Sequence, residues 1–148
     1  MKTAFTMIEL IFIIVILGIL AAVIVPKLSA TRGDAEASTK ASSIMTGATE
    51  IASYAISQGN INTDFTVMSN AFKSLKDNGD ANLTSDKAIV KAGNINDCIT
   101  VQITRNATDD ILSISFGSAS SDSVCSTIQS LINIKEYPIK LRGQSVVY

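Results

Sequence analysis

Glu9 is the only charged residue between Lys2 and Lys27, and every neighbour from Phe5 to Val25 except Thr6 is apolar or glycine. A carboxylate in a membrane-spanning helix is disfavoured by at least ~2.5 kcal/mol, so one found there is rarely idle and usually has a partner. The chemistry open to Glu9 is therefore pairing with a cation. Cys98 and Cys125 are the next reactive candidates. Two cysteines in an oxidising compartment predict one disulfide, with two buried free thiols as the alternative. The chain has no histidine, which removes Ser–His and Cys–His nucleophilic arrangements and the commonest metal ligand.

The remaining carboxylates point to less. Asp109-Asp110 sits in a stretch of turn character and reads as a solvated turn. Asp77, Asp80, Asn82, Thr84 and Asp86 have a spacing loosely like a calcium loop. The glycine after the third ligand and the distal glutamate of an EF-hand are missing, so a solvated loop with no metal is expected. The same loop holds Asp80-Ala81-Asn82-Leu83-Thr84, which resembles the extended acceptor sequence for N-glycans of some bacteria. A five-residue match arises by chance, and an unmodified loop is the expectation. An enzyme is not expected, nor a cofactor.

The elements that must position these residues begin with the apolar run. Phe5 to Val25 is 21 residues, which makes a helix of about 31 Å, the thickness of one hydrocarbon core. A conventional secretory signal would have a longer basic start, a shorter core and a small-x-small cleavage site. Leu20 before Ala21-Ala22 spoils that spacing. Lys2 favours a cytoplasmic N-terminus, whereas Lys27 and Arg32 oppose it.

The first 30 residues resemble the prepilin signal of type IV pilins and type II secretion pseudopilins. A short leader ends in small Ala4, Phe5 and Thr6 follow, and Glu9 comes four residues after the Phe. Gly18 and Pro26 occupy family positions, and Leu17-Gly18-Ile19-Leu20-Ala21-Ala22 is similar to the family's most recurrent stretch. The family usually has Gly where this chain has Ala4. The resemblance implies cleavage between Ala4 and Phe5 by a membrane prepilin peptidase, and methylation of the Phe5 amine. It also implies assembly through Phe5, Thr6 and Glu9, with Glu9 pairing to the Phe5 amine of a neighbouring subunit. Inside an apolar bundle such a pair contributes register and specificity more than net stability. The implied partners are other copies or related pilins in a helical filament, an inner-membrane platform with its ATPase, and the lipid bilayer. The implied location is the bacterial inner membrane with a periplasmic domain, then a periplasmic pseudopilus or a surface pilus. The competing expectation is a membrane-anchored or secreted binding module without filament assembly.

Residues 1–4 are thus expected to be a leader, 5–26 a transmembrane or filament-core helix, 27–58 its amphipathic continuation, and 59–148 a globular α+β domain. Ile44, Ala48, Ile51 and Ala55 mark one face of that continuation. Ser29, Thr31, Arg32, Asp34, Glu36, Lys40 and Glu50 mark the polar side. Gly33 and Gly47 weaken the helix by about 1 kcal/mol each relative to Ala. Pro26 is expected to kink it, and Gly59-Asn60 to end it. Gly18 and Pro26 read either as ordinary membrane-helix punctuation or as the bounds of a stretch that can lose helical hydrogen bonds in a filament.

Asp64 to Asp77 reads as a brief helix with Val67, Met68, Phe72 and Leu75 inward, and Asn78 to Lys87 as a polar loop. Ile99, Val101 and Ile103, then Leu112, Ile114 and Phe116, alternate with polar residues and predict a β-hairpin. A serine-rich loop leads to a helix capped by Asp122 or Ser123, with Val124, Ile128 and Leu131 inward. Tyr137-Pro138 ends it. Ile139, Leu141, Val146 and Tyr148 suggest one or two closing strands. The predicted fold class is α+β, a long N-terminal helix packed on a small antiparallel sheet. The net charge of −1 and the lack of tryptophan give no support to nucleic-acid binding.

Overall fold

The computed structural model describes residues 6–106, 109–119 and 121–142. Ala4 and Phe5, and the closing positions Val146 and Tyr148, lie outside them. The element order is α1 (Met7–Gln58), α2 (Phe65–Met68), α3 (Asn70–Asp77), β1 (Ala81–Leu83), β2 (Lys87–Ala92), β3 (Ile95–Arg105), β4 (Asp110–Phe116), α4 (Ser123–Leu131), a 3-10 turn (Ile134–Glu136) and β5 (Ile139–Arg142). The chain divides into two compact units, with the boundary between Ala35 and Glu36. This boundary falls inside α1.

α1 is one helix of 52 residues that continues through Pro26. Gly59, at φ 64, follows its end, the left-handed conformation that commonly stops a helix. The second unit is α+β: the α1 residues from Glu36 onward pack on a five-stranded antiparallel sheet of order β1-β2-β3-β4-β5. The buried helix stripe is Ala37, Ala41, Ile44, Ala48, Ile51 and Ala55, every one at most 5% exposed. Four of the six are alanines, which lets the helix axis approach the layer beneath it. Val90, Ile99, Val101, Ile103, Leu112 and Ile114 form the facing surface of the sheet. The β3–β4 hairpin has the expected alternation, with Val101 opposite Ile114 and Ile103 opposite Leu112.

Four expectations need correction. The Asp64–Asp77 helix is two helices, broken at Ser69, which ends α2 and caps α3. Across that break Val67 turns outward and is 56% exposed, while Phe65 takes an inward place. The segment from Asn78 to Lys87, expected as a polar loop, contains strand β1, which pairs antiparallel with β2. In α4, Leu131 is 53% exposed and Cys125 and Ile128 are the buried positions, followed by buried Ile132 just past the helix end. Lys40 and Glu50, placed by pattern on the polar side of α1, are engaged in the domain instead. Lys40 is 8% exposed.

Phe65 and Phe72 meet edge to face with ring centroids 5.7 Å apart, a favoured aromatic geometry. Glu50 joins α1 to this corner. Its Oε2 accepts a hydrogen bond from Ser69 Oγ at 2.6 Å and another from the Ala71 amide at 3.0 Å. A carboxylate at a helix N-terminus is favoured by the unsatisfied amides there.

Candidate functional site

The first unit presents an apolar surface. From Met7 to Leu28 every large apolar side chain is exposed, Met7 at 80% and Phe12 at 66%. α1 is long and apolar enough to cross a membrane. Soluble monomers rarely leave so large a contiguous apolar surface uncovered. Gly18 lies on this helix with nothing within 4 Å of where a Cβ would stand, so packing inside the chain does not call for a glycine there.

Glu9 is held by Thr6. The Thr6 amide donates to Glu9 Oε2 at 2.8 Å, and the Thr6 hydroxyl donates to the same oxygen at 2.7 Å. In return the Glu9 amide lies 3.4 Å from Thr6 Oγ1, and the Leu10 amide donates to the Thr6 carbonyl at 3.2 Å. This is a capping box: two amides at a helix start, which have no partner in the helix itself, are satisfied reciprocally. Thr6-Met7-Ile8-Glu9 before an apolar run is the sequence signature of that motif, so part of the Glu9 carboxylate has a local partner besides the expected one in a neighbouring subunit. Both side-chain contacts fall on Oε2. Among the described residues none donates to Oε1. The structure therefore brings Thr6 and Glu9 together; Ala4 and Phe5 lie outside its described part.

In the second unit the disulfide joins Cys98 of β3 to Cys125 of α4, with Cα atoms 5.7 Å apart and both residues fully buried. A second tie runs beside it. The Gln129 side-chain amide Nε2 donates to the Cys98 carbonyl at 3.0 Å and the Gly117 carbonyl at 2.9 Å. Asp122 caps α4 by accepting from the Cys125 amide at 3.0 Å, and it also accepts from the Asn94 amide at 3.0 Å. Hydrogen bonds from the Asn94 and Cys125 amides hold its carboxyl below the usual aspartate value.

The other acidic residues are taken up structurally. Asp80 and Glu36 both pair with Lys40, at 2.9 Å and 2.8 Å, and Lys40 Nζ also donates to the Lys91 carbonyl at 3.3 Å. Burial pushes the Lys40 ammonium down, but the Glu36 and Asp80 carboxylates more than offset it, so it sits above the ordinary lysine value. Thr84 donates to Asp86 at 3.2 Å. Among the described residues no group of three or more His, Cys, Asp or Glu side chains is arranged to hold a metal ion. Asp109-Asp110 is not a simple solvated turn. Asp109 pairs with Lys140 at 3.3 Å, and Asp110 is 2% exposed at the start of β4, opposite Arg105 in register. An open groove runs between α1 and α2, with Met45, Tyr54 and Val67 among its lining residues. Its one carboxylate, Glu50, is already committed to Ser69 and Ala71.

Comparison of the chain with protein-family models, with curated proteins and with solved structures found no match.

Proposed function

We propose that this chain is a structural subunit of a helical filament, either a type IV pilus or a type II secretion pseudopilus. Its first unit would lie in the inner membrane before assembly and line the filament core afterwards, with the second unit outward. The observation that carries the reading is Glu9 within an exposed stretch, residues 7–25, whose other members are all apolar or glycine, with Thr6 donating twice to its Oε2. None of the described residues donates to Oε1, which is open to a cation, and the resemblance of residues 1–30 to prepilin signals supplies one, the Phe5 amine of another copy. The buried disulfide supports export to an oxidising compartment. Cleavage by a prepilin peptidase, methylation of Phe5 and extraction by an ATPase-driven platform belong to the same proposal.

The capping box favours a second reading, a membrane-tethered binding module in which Glu9 only starts the helix. Glu9→Gln separates the two, because glutamine can serve in a capping box but carries no charge. The filament reading expects native protein to begin at Phe5 and to be heavier by one methyl group. It expects Glu9→Gln and Glu9→Ala to lose filaments seen by electron microscopy while circular dichroism shows the domain folded. An uncut Met1, or normal filaments from Glu9→Gln, would overturn it.

A further inference from the structure

We propose that Asn82 is a site of N-linked glycosylation. Asn82-Leu83-Thr84 has the carboxamide and hydroxyl spacing that glycosyl transfer to asparagine requires, and Asp80 stands two residues before it. The fold adds what sequence could not. Asn82 lies in β1, an outermost strand of the sheet. The pleat turns Ala81 into the core, 4% exposed, and Asn82 to the opposite, exposed face. Among the described residues no hydrogen bond engages the Asn82 carboxamide. A sugar chain there meets solvent rather than core, and it shields the sheet edge, the part of a β structure most prone to pairing with another chain.

The flanking groups set the order of events. In the folded domain the Asp80 carboxylate is bound to Lys40 at 2.9 Å. The Thr84 hydroxyl accepts from the Lys87 amide at 3.1 Å and lies 3.2 Å from Asp86 Oδ1. Recognition of these groups therefore precedes closure of the Thr84–Lys87 turn, on the newly exported chain. The Asn82 nitrogen attacks the anomeric carbon of a lipid-pyrophosphate-linked oligosaccharide. The carbon–nitrogen bond forms as the carbon–oxygen bond to pyrophosphate breaks. The amide proton goes to a base of the transferase, and the lipid pyrophosphate leaves with the electron pair. The proposal rests on export, not on filament assembly.

Asn106-Ala107-Thr108 has the same minimal spacing but Thr104 where the first motif has Asp80, so it serves as an internal comparison. The test is mass spectrometry of tryptic peptides from protein purified from its native cells with the Cys98–Cys125 bond intact. The peptide 77–87 contains Asn82 and not Asn106. It is expected to be heavier by a whole number of sugar residues, and to lose that mass in Asn82→Gln and in Thr84→Ala. An unmodified peptide in disulfide-bonded native protein would overturn the proposal. So would added mass that survives Asn82→Gln, or sugar found only at Asn106.

Discussion

Gly47 of α1 lies under the ring of Phe72 in α3, and a methyl group at position 47 would approach the ring carbon Cε2 to 2.6 Å. Helix propensity alone favours Ala over Gly by about 1 kcal/mol. Overpacking a closed core costs roughly 1–3 kcal/mol. Phe72 is fully buried and makes the edge-to-face contact with Phe65, so the ring has little room to retreat. Gly47→Ala is expected to destabilise the domain by about 1 kcal/mol net. Urea unfolding checks this, and a higher midpoint than wild type would show that the ring can move.

Cys98 and Cys125 are 27 residues apart in sequence, and replacing both with serine removes the link between β3 and α4. The expected loss is roughly 3–4 kcal/mol in the chain-entropy account. Because Cys98 and Cys125 are fully buried, thiol reagents reach the bond only when the domain opens. Reduction of the native protein should therefore speed up on adding denaturant at concentrations below the unfolding midpoint. A reduction rate that ignores denaturant would contradict the burial.

Lys40 gives an alkaline dependence. Its folded value lies above the ordinary one, so its contribution is complete below the ordinary lysine value and is lost as pH rises through the folded value. Lys40→Met should lower stability at neutral pH and flatten the loss of stability in that alkaline window. Thermal unfolding of both proteins from neutral to strongly alkaline pH tests it. Parallel curves would remove the ion pairs with Glu36 and Asp80 from the account.

Asp122 gives the opposite, acid dependence. Its folded value is depressed by the Asn94 and Cys125 amides. Its contribution is present above the ordinary aspartate value and disappears as pH falls through the folded value. Asp122→Ala also removes the α4 cap and should lower stability at neutral pH. The gap between the stabilities of wild type and Asp122→Ala should narrow as the pH falls through that window. A gap that stays constant would mean that the carboxylate charge contributes nothing.

Much of this arrangement follows from local pattern. The spacing of Ile44, Ala48, Ile51 and Ala55 fixes which helix face is buried, because a 3.6-residue period allows one apolar side. Alternation from Ile99 to Ile103 and from Leu112 to Ile114 fixes the hairpin faces, because a strand has a period of two, whereas Phe116 at the end of β4 is 36% exposed. Even the capping box is written in Thr6 and Glu9, although a carboxylate in an apolar run draws attention to distant partners first.

What pattern could not settle is which polar groups are enclosed and which apolar ones are left out. Lys40 looks like any other polar helix residue until Asp80, from the turn before β1, and the Lys91 carbonyl come to meet it. Strand β1 is three residues long and carries too little alternation to be recognised alone; it exists because β2 supplies its hydrogen-bond partners. Val67 and Leu131 are outward because Phe65 and Met68 in α2, and Cys125 and Ile128 in α4, occupy the buried side of these short helices. The sequence by itself determined the long helix, the hairpin and the cysteine count, since each depends on neighbours within a few residues. The tertiary structure alone decided the Cys98–Cys125 geometry, the seat of Lys40, the need for glycine under Phe72 and the exposure of Asn82. Those depend on groups brought together from far along the chain, and their energies exist only once the sheet has formed against α1.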